Sequence, residues 1–280
     1  MHSRITVAGC GAMGLPMALA LRSAGFDAYG FDIRPITEFP DFSDYMLPTL
    51  DGLRTDDTLL VVVRNQHQIN DICFNENAVF KKNNYPHTLI ISSTVSPRYI
   101  QELQQKLPAD VDLIDAPMSG APIAARECNL SFMIGGSETS VTTLMPAFNS
   151  MGTSIFHLGA TGQGMLAKVL NNYVAACNVI SVRKSLAHAT QLGMPADKLL
   201  EVINRSSGSN WFSNRIDAID WSHEDYHPGN TIGILEKDVT AALDVIDSIY
   251  KEQNTATGCD EFGHAMLATL QELPSIPDRN

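Results

Sequence analysis

The chain has 280 residues, 44% of them hydrophobic and 18% charged, as in an ordinary globular protein long enough for about two domains. A formal net charge of −12 argues against non-specific attraction to nucleic acid or to anionic membranes, and an acidic ligand would need a local pocket of donors. Five scattered cysteines (Cys10, Cys73, Cys128, Cys177, Cys259) form no CxxC pair, which suits a reducing compartment and no disulfide framework. His67, His157, His188, His223, His227 and His264 show no ligand spacing with cysteines or acids, so no metal is expected.

Arg4 followed by an apolar run through Leu21 has the outline of a signal peptide, but Gly9, Gly11, Gly14 and Pro16 interrupt it. ITVAG (Ile5–Gly9) reads as a compact buried strand, MALALRSAG as a helix and AYGFD (Ala28–Asp32) as a second strand. TLLVVV (Thr58–Val63), TLIISST (Thr88–Thr94), VDLIDAP (Val111–Pro117), LSFMIGG (Leu130–Gly136) and SIFHLG (Ser154–Gly159) continue the series. Apolar strands separated by helices imply an α/β domain with a mainly parallel sheet covered on both faces.

After Gly164 the pattern becomes helical, with segments expected near 164–192, 196–204, 232–252 and 261–273 and no clear strand. The expected domains are therefore 1–161 and an all-helical 162–280. The first helix is long and apolar around much of its circumference, as for a helix buried by a neighbouring domain or subunit. No uninterrupted apolar stretch is long enough to span a bilayer, and the chain reads as cytoplasmic. The tail PSIPDRN reads as frayed.

GCGAMG (Gly9–Gly14) follows a strand, opens a helix and leads to a second strand that Asp32 closes at dinucleotide-site spacing. Gly9 permits the tight turn, Gly11 the approach of a pyrophosphate and Gly14 close helix packing, while the helix N-terminus, reached through Ala12 and Met13, faces the phosphates. Asp32 reads as a ribose ligand or as a strand-end cap. As a ligand it favours NAD over NADP. Arg34 complicates that preference, being either a partner for a 2′-phosphate or a solvated charge.

GMLAKVLNNYVAACNVI (Gly164–Ile180) sets Lys168 and Asn172 one turn apart on one helix face within an apolar run. Two readings stand at this point: Lys168 snorkels to water, or its ammonium is held inside for chemistry.

The longer string GCGAMGLPMALAL resembles the β-hydroxyacid dehydrogenases, the 3-hydroxyisobutyrate dehydrogenase family. DAPMSGAPIAARECNLSFMIGG (Asp115–Gly136) is similar to that family's substrate-binding signature, GQGMLAKVLNN (Gly162–Asn172) to its catalytic segment and LEKDVTAALD (Leu235–Asp244) to its cofactor-proximal Lys-Asp motif. STVSP and SSGSNW fit weaker family patterns, so the likeness covers nearly the whole chain. It implies a Rossmann-type doubly wound sheet, then a long interdomain helix and an all-α domain, assembled as a homo-oligomer (dimer or tetramer) through the helical part. It also implies Lys168 as the catalytic lysine, Asn172 as its substrate-orienting partner, Ser119 and Gly120 on the substrate carboxylate, and Thr94 and Lys237 on the cofactor. Four departures bear on the substrate. Ala121 stands where a second glycine is usual, and Val63-Arg64-Asn65 replaces a Met-Leu-Pro-like loop. An aspartate before the Ser-Thr is missing, and Thr231 lies near the place of an aromatic.

The expected activity is hydride transfer between NAD, with NADP as the other candidate, and a small 3-hydroxy acid or its semialdehyde. Lys168 then takes or gives the hydroxyl proton, provided that burial brings its pKa down from ~10.4. An imine reductase on the same fold, where another donor usually replaces the lysine, and a non-catalytic nucleotide-binding regulator are the competing readings. The Lys168–Asn172 pair counts against both.

Overall fold

The computed structural model describes residues 4–76, 78–253 and 258–273; the PSIPDRN tail lies outside them. The first part runs β1 (Ile5–Ala8), α1 (Gly14–Ser23), β2 (Ala28–Phe31), β3 (Thr58–Val61), α2 (Gln66–Cys73), β4 (Thr88–Ile91), α3 (Pro97–Lys106) and β5 (Asp112–Asp115). These strands form one five-stranded parallel sheet in the order β2-β1-β3-β4-β5. ITVA and TLLV are buried at every position because alternate side chains feed two cores. Val7, Leu60, Ile90 and Ile114 enter one cluster; Ala8, Leu59, Val61, Leu89 and Leu113 enter the other. The chain leaves β1 for β2 on one side and resumes at β3 on the other. Their carboxyl ends thus form a topological switch point, the place where open α/β sheets bind ligands.

The chain continues with β6 (Met118–Ser119), α4 (Pro122–Arg126), β7 (Leu130–Ile134), α5 (Glu138–Met151) and β8 (Gly152–His157). Here the structure departs from the single sheet expected. These strands make a separate three-stranded sheet, β6-β7-β8, in which β6 runs antiparallel to β7 and β8 parallel to it. An isolated antiparallel bridge, Asp115 to Gly135, ties it to the end of β5. The physical reason lies in burial. In β7 only alternate residues, Leu130, Phe132 and Ile134, are buried, so this sheet packs one face where the first packs two.

The helical part holds α6 (Gln163–Gln191), α7 (Ala196–Asn204), α8 (Trp211–Arg215), α9 (Thr231–Glu252) and α10 (Glu261–Gln271). The short α8 is the one not anticipated; a capping box between Asn210 and Ser213 starts it. The chain divides into compact units Met1–Lys168 and Val169–Asn280, and the division falls inside α6. In the second unit Ala176, Val179, Val182 and Leu186 of α6 pack with Phe212, Ile232, Val239, Leu243 and Leu270. By length and composition α6 is long and apolar enough to cross a membrane. One side of it, through Ala176, Val179, Val182 and Leu186, lies in the core of the second unit, while Leu170 and Val174 are exposed.

Candidate functional site

The glycine loop sits at the switch point. Gly9 takes φ +98°, its N–H donates to the Phe31 carbonyl at 2.8 Å, and a side chain there would collide with the Val62 carbonyl. A side chain on Gly14 would collide with the Gly9 carbonyl. Gly11 differs: a Cβ built on it meets nothing within 4 Å. Packing demands the outer glycines, whereas the middle one borders open space. That is the pattern a loop needs if its backbone is to touch a pyrophosphate, so the residues present fit a dinucleotide. Ala12 is exposed, Met13 packs on the core, and no side chain caps α1.

Asp32 lies just past β2 with its side chain 10% exposed. Arg34 holds it at two points, Nε to Oδ1 at 3.0 Å and Nη2 to Oδ2 at 3.2 Å, while the Arg34 N–H also donates to Oδ1 at 3.1 Å. The same Nη2 donates to the Cys10 carbonyl at 2.9 Å, and the guanidinium lies 4.7 Å from the Phe39 ring centre. Arg34 is thus a clip between the acid and the glycine loop, which corrects its reading as a merely solvated charge. Burial pushes the Asp32 pKa up, but hydrogen bonds and charge from Arg34 outweigh it and hold the carboxyl below its usual range.

Beyond β3, Arg64 is exposed; its N–H donates to Gln68 Oε1 at 2.8 Å, while Asn65 caps α2. Beyond β4, Thr94 is half-buried next to Ser93, whose hydroxyl accepts the Val63 N–H at 2.9 Å. Ser119 is half-buried in β6 opposite Ser131. Gly120 has φ +131°, and a Cβ there would lie 2.8 Å from the Ala124 Cβ and 3.0 Å from Leu130 Cδ2, so only glycine suits the bend. Ala121 caps α4 at φ −70°, ψ 171°, an extended conformation open to any residue; its methyl strains nothing and is exposed.

Lys168 is buried, 7% exposed, in the second turn of α6. Asn172 follows one turn later in the second unit. Its Nδ2 donates to Asp238 Oδ2 at 2.5 Å, and Lys237 Nζ lies 3.0 Å from Asp238 Oδ1. The structure therefore joins Asn172 and Lys237 through Asp238, itself 2% exposed. Sequence reasoning gave Asp238 no role of its own. Asp115 was missed in the same way. It is fully buried at the end of β5, and its carboxylate accepts the N–H groups of Gly162 and Met165, each at 2.5 Å. Its sequence signals are an acid closing an apolar strand and its place at the head of the signature Asp115–Gly136, neither of which gives the carboxylate a role.

A parallel sheet with a glycine loop at its switch point and an acid past the second strand defines a dinucleotide-binding chain. Residues 4–159 match the model of the NAD-binding domain of 6-phosphogluconate dehydrogenase, and residues 162–272 that of the NAD-binding domain of NADP-dependent 3-hydroxyisobutyrate dehydrogenase. The mitochondrial 3-hydroxyisobutyrate dehydrogenase of Drosophila melanogaster is 30% identical over 86% of this chain and 76% of its own length. The 2-hydroxy-3-oxopropionate reductase of Escherichia coli is 28% identical over 93% and 90%. In fold, the chain is similar to the 3-hydroxyisobutyrate dehydrogenase of Mycobacterium tuberculosis solved with L-serine. The TM-score is 0.79 at 24% identity, covering 97% of this chain and 94% of that one. The chain belongs to the β-hydroxyacid dehydrogenase family, and NAD(P) is the cofactor class of its domains.

Proposed function

We propose that this protein transfers a hydride between NAD(H) and a short 3-hydroxy acid or the corresponding semialdehyde, with Lys168 moving the proton at the substrate oxygen. The observation that carries this reading is that Lys168 is a buried residue of an apolar helix, 7% exposed, one helical turn before Asn172. Relatives named for 3-hydroxyisobutyrate and for 2-hydroxy-3-oxopropionate support a small carboxylate as substrate.

When bound, the nicotinamide supplies the hydride acceptor or donor. The loop Gly9–Gly14 and the start of α1 hold the pyrophosphate, Asp32 accepts from ribose hydroxyls, and Thr94 and Lys237 complete the contacts. The Ser119 hydroxyl and the backbone N–H groups near Gly120 pair the substrate carboxylate, the local donors that a net-acidic protein needs. Lys168 takes the hydroxyl proton in oxidation and returns it in reduction. To accept that proton the amine must be neutral, and to return it the ammonium must be protonated. Asn172 gives one N–H to Asp238 and keeps its second for the substrate oxygen.

Purified protein assayed with NAD(H) and NADP(H) against a panel of 3-hydroxy acids and short semialdehydes tests the reading. Turnover confined to carboxylate substrates and more efficient with NAD(H) is the expected result. Coenzyme binding with no turnover on any member of the panel overturns it.

A further inference from the structure

We propose that Asp115 is the positioning residue for Lys168: its buried carboxylate fixes the first turn of α6 and so the place from which the lysine leaves the helix. The proposal rests on the reading of Lys168 as the proton-transfer group.

Asp115 is held from every side. Its N–H donates to the Gly135 carbonyl at 3.0 Å, and its own carbonyl accepts the Gly135 N–H at 2.8 Å. One carboxylate oxygen takes the Gly162 N–H and the other the Met165 N–H. The approach is so close that side chains are excluded around it. A Cβ on Gly135 would collide with Asp115 Oδ1, and one on Gly164 would lie 2.8 Å from the Asp115 carbonyl. Two more contacts pin the same turn. Thr161 donates its hydroxyl to the Leu113 carbonyl of β5 at 2.8 Å, and the Val95 N–H, beyond β4, meets the Met165 sulfur at 3.4 Å.

The Met165 N–H is one of the donors that a helix start leaves without an intrahelical partner, and a negative charge there opposes the helix dipole. A neutral serine or asparagine would serve that need alone, at less desolvation cost than a fully buried carboxylate. What the carboxylate adds is two acceptors on a rigid stem, which lock the axial position and rotation of the turn against the sheet. Lys168 follows Met165 by three residues, nearly one turn, on the same face. Burial pushes the Asp115 pKa up to about 6 against the pull of the N–H donors, so the group is ionised at neutral pH.

The test uses the full-length protein and its best 3-hydroxy acid. Asp115→Asn keeps the volume but sets an amide N–H against a backbone N–H. We expect kcat to fall by ~10-fold or more, the scale of a sub-ångström misplacement. Coenzyme Kd should stay within about two-fold, since the variant leaves the glycine loop intact. The acid limb of the kcat/KM profile for oxidation, set by Lys168 as base, should move because the lysine leaves a displaced turn and meets a changed environment.

Wild-type kcat with an unmoved limb overturns the proposal. So do equal losses of kcat and coenzyme affinity with an unmoved limb, the mark of general loosening. If the variant fails to fold, NMR of the unmodified protein answers instead. The amide signals of Gly162 and Met165 and the side-chain signal of Lys168 should shift with one midpoint as Asp115 titrates; a Lys168 signal that ignores that titration overturns the idea. Lys168→Met in parallel separates the two readings. Full turnover in that variant defeats both, whereas an inactive Lys168→Met beside an unaffected Asp115→Asn defeats only this one.

Discussion

Two cations, Lys168 and Arg34, carry the sharpest expectations because each has a settled position. Lys168→Met keeps the stem, removes the cost of a buried ammonium and should leave a folded protein that binds coenzyme normally. Its kcat should nevertheless drop by ~10²-fold or more, the scale of lost acid–base catalysis. A variant within a few-fold of wild type would sink the proton-transfer role. Arg34 gives Nε and Nη2 to Asp32, so a 2′-phosphate competes with that carboxylate for the guanidinium. Asp32→Ser removes both the repelling carboxylate and the competitor for the guanidinium. The ratio of kcat/KM for NADP(H) to that for NAD(H) should rise by ~10-fold or more, the tenfold that ~1.4 kcal/mol represents. An unchanged ratio would mean that Arg34 stays on the Cys10 carbonyl and does not choose the coenzyme. At this scale the sequence was readable where backbone sterics dictate the residue, as at Gly9 and Gly14. It was unreadable where a rotamer chooses among partners. Asn172 meets Asp238 across 66 positions, and no local pattern announces that pairing.

Among the elements, α6 starts on a titrating group, the carboxylate of Asp115. Burial pushes the Asp115 pKa from 3.8 to about 6 despite the N–H groups of Gly162 and Met165, so the native protein keeps a proton that the unfolded chain has released. Stability from this group is therefore present at low pH and is lost as pH rises through the interval between those two values. Asp32 runs the other way. Its folded pKa is depressed, so its contribution is present above the unfolded value and is lost as pH falls through the lower folded one. The Tm of wild type minus that of Asp115→Asn should decline between about pH 4 and pH 6 and be flat above, with an upper bound near ~3 kcal/mol at 1.36 kcal/mol per pKa unit. A difference independent of pH would show that Asp115 titrates alike in the folded and unfolded states. The long elements were legible because periodicity marks them: α7 occupies the segment expected from 196 to 204, and α6 and α9 lie within a residue or so of their expected bounds. β6 escaped because two residues carry no pattern and pairing with β7 defines them. α8 escaped because its five residues depend on the capping box from Asn210 rather than on an apolar stripe.

For the whole molecule the governing quantity is charge, 19 basic against 31 acidic residues and a net −12. A carboxylate substrate must approach that body before it reaches Ser119 and the backbone donors near Gly120. The repulsion is long-ranged and falls off over a Debye length, ~30 Å at 0.01 M salt but ~10 Å at 0.1 M. The contacts proposed to hold the substrate act at hydrogen-bond distance, where salt screens much less. Raising ionic strength from about 0.01 to 0.15 M should therefore relieve the repulsion before it weakens the clamp. On that argument kcat/KM for a monocarboxylate rises ~2- to 5-fold while kcat stays level, and a dicarboxylate of similar length gains more. Steady-state kinetics over that salt range, at fixed pH and saturating coenzyme, measure the effect directly. A kcat/KM that falls steadily with salt would mean that a local positive field, of the kind Lys168 and Lys237 would create, attracts the substrate from the outset. The overall negative charge would then have no part in encounter.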